Sequence, residues 1–197
     1  MKQSKKDTMK KTKKETKKNT SKKTKSSKKS ASSKTVVLHP AFATTFRGFE
    51  QIAVQEIQEL LGVAATSGSG YISFCASDLQ LAELCYRTQA LRRVLRVFGQ
   101  CSFAETLDNL ETQTALLLKN ADISVLTGHT FRVECERIGD HGFNSRDAAA
   151  LVGKQICALS PTLEVDLENP EITVFCHIQN NLCFVGIDFA GFDLTKR

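Results

Sequence analysis

Apolar residues recur along this chain at two spacings, and the switches between them mark out its elements. Phe42 to Phe46 reads as a first strand. Phe49, Ile52, Ala53, Ile57, Leu60 and Leu61 then follow helical spacing, with Glu50, Glu56 and Glu59 on the opposite side. Gly62 is placed to end that helix, since glycine enters the left-handed region without steric cost. Thr66 to Gly70 reads as a loop and Tyr71 to Phe74 as a strand. Asp78 is a candidate cap for a second helix that turns Leu81, Leu84 and Cys85 inward. Arg92 to Phe98 alternates, which predicts a strand with Arg92 and Arg96 on the face of Val94 and Phe98, and Arg93 on the face of Leu95 and Val97.

The pattern continues with a helix from about Glu105 to Lys119, with Leu107, Leu110, Thr114, Leu117 and Leu118 on one face. A strand over 130–137 turns Phe131, Val133 and Cys135 one way and Arg132, Glu134 and Glu136 the other. Ala149, Val152, Ile156 and Leu159 line another helix, which stops before Pro161. Leu163, Val165 and Leu167 alternate as a strand until Asn169 and Pro170 break it. Ile172 to Ile178 and Leu182 to Phe189 form a hairpin around Asn180 and Asn181, a residue type that tolerates positive φ. Helices and strands mixed without regular βαβ alternation predict an α+β fold. It divides into modules over 35–103 and 104–197.

Charge separates a third segment. Residues 1–34 hold 15 lysines against two acids, a net +13, while residues 35–197 hold 12 basic against 19 acidic residues, a net −7. The first 34 residues are almost all Lys, Ser and Thr, which predicts a disordered tail that attracts polyanions without sequence preference. A solubility tail or localisation signal is the plain alternative. The tail has no apolar segment for a secretory signal and lacks the arginines of a transit peptide. No run approaches the roughly 18 apolar residues of a membrane span. Seven cysteines occur with no C-x-x-C spacing, an odd count that fits buried thiols in a reducing cytoplasm. Cys176 and His177 fall on opposite faces of one strand, so no metal site is expected.

Candidate chemistry gathers where the 130–137 strand leads through a glycine-flanked loop into a helix. Arg137, His141, Asn144, Ser145 and Arg146 lie within ten positions, and Lys154 shares a helix face with Arg146. Amides at a helix start near Ser145 offer a phosphate seat. Asp147 in the first turn argues partly against an anion there, and a well-capped, charged surface loop is the plain alternative. Arg87, Arg92, Arg93 and Arg96 form a second basic cluster, suited to bidentate phosphate contacts or to salt bridges with the acidic first helix. Thr66 to Gly70 lacks the spacing of a nucleotide loop. His39, His129, His141 and His177 are scattered, and no Ser/His/Asp or Cys/His pairing is visible, so no catalytic residue is assigned.

Several of these segments together resemble a known family. Phe42-Ala-Thr-Thr-Phe-Arg-Gly-Phe-Glu50 and the helix from Ile52 to Gly62 are similar to the opening of THUMP-containing RNA guanine-N2 methyltransferases. Gly139-Asp-His-Gly-Phe-Asn-Ser-Arg-Asp147, Val165 to Pro170 and Val185 to Arg197 are similar to the same family, so the resemblance covers residues 41–197. It implies an N-terminal ferredoxin-like module over 35–103 followed by a THUMP module over 104–197. In tRNA-modifying relatives THUMP grips the acceptor stem near the CCA end. On that basis Arg137, His141, Asn144, Ser145, Arg146 and Lys154 are the expected RNA-binding residues, joined by Arg92 and Arg96.

The family places a Rossmann-like methyltransferase domain after the position of Lys196 and Arg197. This sequence has no glycine-rich S-adenosylmethionine loop, and its Asn169–Pro170 is followed by Glu171 instead of a second proline and an aromatic. The expectation is therefore a cytoplasmic RNA-binding module, not an enzyme by itself and without a cofactor of its own. It would present tRNA to a methyltransferase supplied by a separate chain or a C-terminal half. The rival readings are a scaffold protein with a nonspecific nucleic-acid-binding tail, and part of an S-adenosylmethionine-dependent RNA guanine-N2 methyltransferase.

Overall fold

The computed structural model describes residues 36–197; the disorder expected of the lysine-rich tail lies outside the described residues. Val36–Arg197 forms one compact unit with mixed α/β architecture. Its elements run β1 (His39–Thr45), α1 (Glu50–Leu61), β2 (Ala65–Gly68), β3 (Tyr71–Ala76), α2 (Asp78–Arg87), β4 (Leu91–Ser102), α3 (Leu107–Lys119), β5 (Thr130–Ile138), α4 (Ser145–Leu159), β6 (Glu164–Val165), β7 (Ile172–Gln179) and β8 (Leu182–Asp188). All eight strands join one sheet in the order β2-β3-β1-β4-β8-β7-β5-β6. Strand β4 is the link between its halves: Arg93 to Arg96 pair with β1, and Leu95 to Ser102 pair with β8.

The helices cover one face of this sheet. Ala41, Ala43, Ile72 and Val94 meet Ala53 and Ile57 of α1 and Leu81 and Leu84 of α2. Phe131, Val174, Cys176 and Val185 meet Leu110 and Leu118 of α3 and Val152 and Ile156 of α4. Each fully buried aliphatic or aromatic side chain contributes about 1.5–3 kcal/mol by leaving water. The opposite face carries a cluster without any helical residue, in which Phe42, Leu95, Phe175 and Phe184 are nonetheless buried. Curling of the sheet hides them. Arg93 on β4 reaches Glu134 on β5 at 3.4 Å, and Arg92 reaches Glu136 at 3.2 Å, although β8 and β7 stand between. Flat strands would hold β4 and β5 about 14 Å apart. Gly186 permits this shape, because a Cβ there would sit 2.9 Å from Val97 Cα.

The helix ends follow from particular residues. Gly62 adopts φ 68° and its N–H donates to Gln58 O, closing α1 as its position predicts. Asn180 takes φ 51° in the β7–β8 turn. Four expectations need correction. Ser77, not Asp78, caps α2, and Gln80 completes its capping box. Residues 65–68 are an edge strand, not a loop: their backbone pairs with β3, a ladder to which small polar side chains give no apolar signature. The strand expected at 163–167 shrinks to Glu164–Val165, because Asp166 Oδ1 accepts from the amides of Glu168 and Asn169 and turns the chain away. Phe49, Ile52 and Leu159 stay about half exposed, so the cores rest on Ala53 and Ile57 in α1 and on Ala148, Val152 and Ile156 in α4. No helix among the described residues is long and apolar enough to cross a membrane.

Candidate nucleic-acid interface

The loop between β5 and α4 is pinned at every turn. Arg137 Nη1 donates to Gly139 O at 3.0 Å and lies 3.0 Å from His141 Nδ1. A guanidinium has no acceptor, so Nδ1 is the unprotonated nitrogen and Nε2 carries the hydrogen. That hydrogen goes to Asn180 O, 2.6 Å away, which ties the loop to the β7–β8 turn. The His141 ring packs against Phe103 and Phe143, with centroids 5.8 and 5.2 Å away. His141 therefore holds the loop in shape.

The start of α4 differs from an open phosphate seat. Asn144 Oδ1 accepts from the amides of Arg146 and Asp147 at 2.8 and 3.0 Å. Asp147 Oδ2 in turn accepts from the Asn144 amide at 3.1 Å. This reciprocal capping box occupies three amides and fixes a carboxylate where an anion would approach. Asn144 and Asp147 thus set the direction of α4, and Ser145 opens it.

Beyond the box, the basic residues separate into two settings. Arg92, Arg137 and Ser145 come together in a cleft of about 450 Å³ on the open face, joined by Arg93 and Lys196. Its acids offset its arginines. Arg92 bonds Glu136 and Asp193 at 3.2 and 3.0 Å. Arg93 pairs with Glu134 and with Asp188, whose side chain is wholly buried, and its guanidinium lies over the Phe175 ring at 4.6 Å. Burial pushes the Asp188 carboxyl up, against the pull of Arg93. Glu136 is held below the usual carboxylate range, first by its contact with His177 and then, against burial, by Arg92. Burial also acts to raise Asp193, but bonds from Thr195 and Arg92 outweigh it and hold that carboxyl low.

Arg146 and Lys154 project from the outer face of α4, and both are exposed. They rim an apolar groove of about 490 Å³ lined by Val133, Ala149, Gly153, Val165 and Leu167. None of the ion pairs among the described residues involves either side chain.

Arg96 stands apart from both settings, with Nη1 3.3 Å from Asp78 Oδ2 at the start of α2. The expected shared face of Arg92 and Arg96 is lost because the β1–β4 register slips between Thr44 and Thr45, which pair with Arg93 and Leu91. That slip turns Arg92 toward Glu136, on the side of Arg93. The arginines are paired as salt bridges would have them, but their acids lie on α2, β5, β8 and the C-terminal segment and not on α1. Lys196 was not among the expected site residues, and Arg93 was expected only as a member of the second basic cluster. A long-range curl places them, and no local spacing signals it. Among the described residues no group of His, Cys, Asp and Glu forms a metal-binding cluster.

The fold is a mixed α/β sheet with two helices on each half of one face and a strand–loop–helix unit edged by cations. Residues 104–188, from the start of α3 to the end of β8, match the THUMP domain family, and the chain therefore contains a THUMP domain. It is 25% identical over 174 residues to the tRNA (guanine(6)-N2)-methyltransferase of Archaeoglobus fulgidus, covering 84% of this chain and 43% of that protein. It is 29% identical over 142 residues to the probable tRNA sulfurtransferase of Saccharolobus solfataricus, covering 70% of this chain and 36% of that protein. The crystal structure of TrmN from Thermus thermophilus shares the fold, with a TM-score of 0.63 at 20% identity over 82% of this chain and 48% of TrmN. The chain thus spans less than half the length of each of these proteins.

Proposed function

We propose that this chain is the RNA-holding part of a tRNA-modifying activity. In this reading it grips the acceptor stem and 3′ end and presents them to a methyltransferase carried by another chain or by a further domain. The observation that carries the reading is the pair Arg146 and Lys154 on the outer face of α4, which form no ion pair among the described residues, within a THUMP domain. Cations without protein partners release counterions when they meet phosphates, which is the main source of RNA affinity. The relatives support tRNA as the RNA class: one is named for methyl transfer and another for sulfur transfer to tRNA. What two different chemistries share is the need to hold the substrate. The βαββαβ order of residues 39–102 and the strand order β2-β3-β1-β4 support a ferredoxin-like first module beside the THUMP domain.

Fluorescence anisotropy with the full chain tests the reading. Labelled tRNA should bind more tightly than single-stranded RNA of equal length, and Arg146→Glu with Lys154→Glu should remove most of that preference. Equal affinity for the two RNAs in the unaltered protein would overturn it.

A further inference from the structure

On the open face of the sheet lies a second, smaller cavity of about 190 Å³. Phe46, Arg47 and Ser69 are exposed at its mouth, and Thr44 and His177 are buried at its floor. The floor is polar but lacks partners among the described residues. His177 is 2% exposed, and neither ring nitrogen has a hydrogen bond. Its Nδ1 lies 3.5 Å from Glu136 Oε2 without the alignment of a bond. Thr44, also 2% exposed, leaves its hydroxyl unpaired as well. Buried polar atoms without partners are costly and rare in native proteins. Three of them at the floor of an open-mouthed cavity form a prepared recognition surface.

Size and charge narrow the ligand. The cavity is below the roughly 300 Å³ at which sites for drug-sized ligands begin, and suits a single planar ring system. Arg47, Arg92 and Glu136 line it, and Arg92 bonds the carboxylates of Glu136 and Asp193. Near-neutrality disfavours a phosphate and favours an uncharged group with both donors and acceptors. Phe46, half exposed at the rim with Arg92 over its ring at 5.4 Å, offers a stacking surface. Gln179 Nε2 holds the rim in place by donating to Ser69 O at 2.9 Å.

We infer that this cavity takes one unstacked nucleobase of a bound RNA, with Phe46 against its ring and His177 and Thr44 bonding its polar edge. The inference rests on the RNA-holding reading above and adds to it a seat for an unpaired base.

The full chain is titrated with three labelled RNAs that share one duplex sequence: blunt, carrying an unpaired stretch, and carrying that stretch with abasic nucleotides. The expected order is tightest binding to the unpaired stretch, with the abasic and blunt RNAs equal. His177→Phe and Thr44→Val should each lower affinity for the unpaired stretch about tenfold and leave blunt-duplex affinity unchanged. Thr44→Val preserves shape, so it decides the question if His177→Phe fails to fold in a thermal melt. Abasic RNA binding as tightly as the intact stretch overturns the base pocket, as does unchanged affinity in Thr44→Val; either result leaves duplex binding and the RNA-holding reading standing. Absence of binding to all three RNAs overturns both.

Discussion

The open-face cleft and the outer face of α4 both carry basic side chains, and they use them in opposite ways. In the cleft, Arg92 and Arg93 are matched by Glu134, Glu136, Asp188 and Asp193, while Arg137 bonds Gly139 and His141 of its own loop and Lys196 adds one further cation. On α4, Arg146 and Lys154 have no ion pair among the described residues. The first arrangement ties three distant chain segments together, β4, β5 and the residues after β8, and holds the sheet in its curl. The second leaves charge available to a polyanion. Counting basic residues would rank the cleft above α4 as an RNA surface; asking which charges are already neutralised reverses the order.

The sharpest test of that contrast is Arg93→Ala. It strands Asp188, wholly buried, and removes the cation over Phe175. Breaking a buried pair from one side costs about 3–5 kcal/mol, and each kcal/mol lowers the melting temperature by about 2–4 °C in a protein of this size. The pH dependence carries a definite sign. Asp188 already has its carboxyl pKa raised by burial, and loss of Arg93 raises it further. The folded state then binds the proton more tightly than the unfolded state, so the variant regains stability as pH falls toward the ordinary aspartate range and loses it as pH rises. Thermal melts of variant and wild type across that range measure it. A variant as stable as wild type near neutrality would show that the cleft is not a structural clasp.

Arg146→Glu combined with Lys154→Glu is the converse. Stability should change by no more than about 0.5 kcal/mol, as for other exposed substitutions. RNA affinity should fall at least tenfold near physiological salt. The slope of log affinity against log salt should flatten by about 1.8 if each side chain neutralises one duplex phosphate. A slope that does not move would take α4 off the RNA surface.

These two surfaces were unequally legible in the sequence. The position of α4 and the shared face of Arg146 and Lys154 follow from local periodicity, and so do the β7–β8 hairpin and the glycine stop of α1. Whatever depends on one strand meeting a distant one was hidden. Strict alternation assigned Arg92 to the face of Arg96, and a one-residue slip against β1 moved it. Glu136 read as an outward residue of an ordinary strand, yet the curl brings it to Arg92 and His177. The loop from Gly139 to Asn144 was found as a concentration of polar groups, but its division of labour was not. Arg137 and Asn144 spend their bonds within the loop and the start of α4, and His141 ties the loop to the β7–β8 turn, while the Arg146 side chain does neither.

That division sets a third test, Asn144→Ala. Removal of a capping side chain costs about 1 kcal/mol, or about 2–4 °C in melting temperature. If Asn144 acts through the helix end alone, RNA affinity measured well below the melting temperature should change less than twofold. A larger loss of affinity with an unchanged melting temperature would move Asn144 from the framework to the RNA-contacting set and blur the boundary between the two surfaces.

The smallest expected effect lies in the cleft. Glu136→Gln removes one of the two carboxylates on Arg92 and the charge facing His177, and keeps the side chain's shape. Glu136 is partly exposed, so solvent screening limits the stability change to about 1 kcal/mol or less near neutrality. Its sign is opposite to that of Arg93→Ala. The folded-state pKa of Glu136 is lowered, so its stabilising contribution is complete above the unfolded glutamate value and disappears as pH falls through the folded value. Wild type should therefore exceed the variant near neutrality, and the gap should close in acid. Glutamine also leaves Arg92 with Asp193 alone, which makes the cleft more positive. If the cleft is compensated as its ion pairs indicate, RNA affinity in Glu136→Gln should rise two- to threefold with a slightly steeper salt slope. Unchanged affinity together with the acid-dependent stability gap would confine the cleft to holding the sheet and leave phosphate binding to α4.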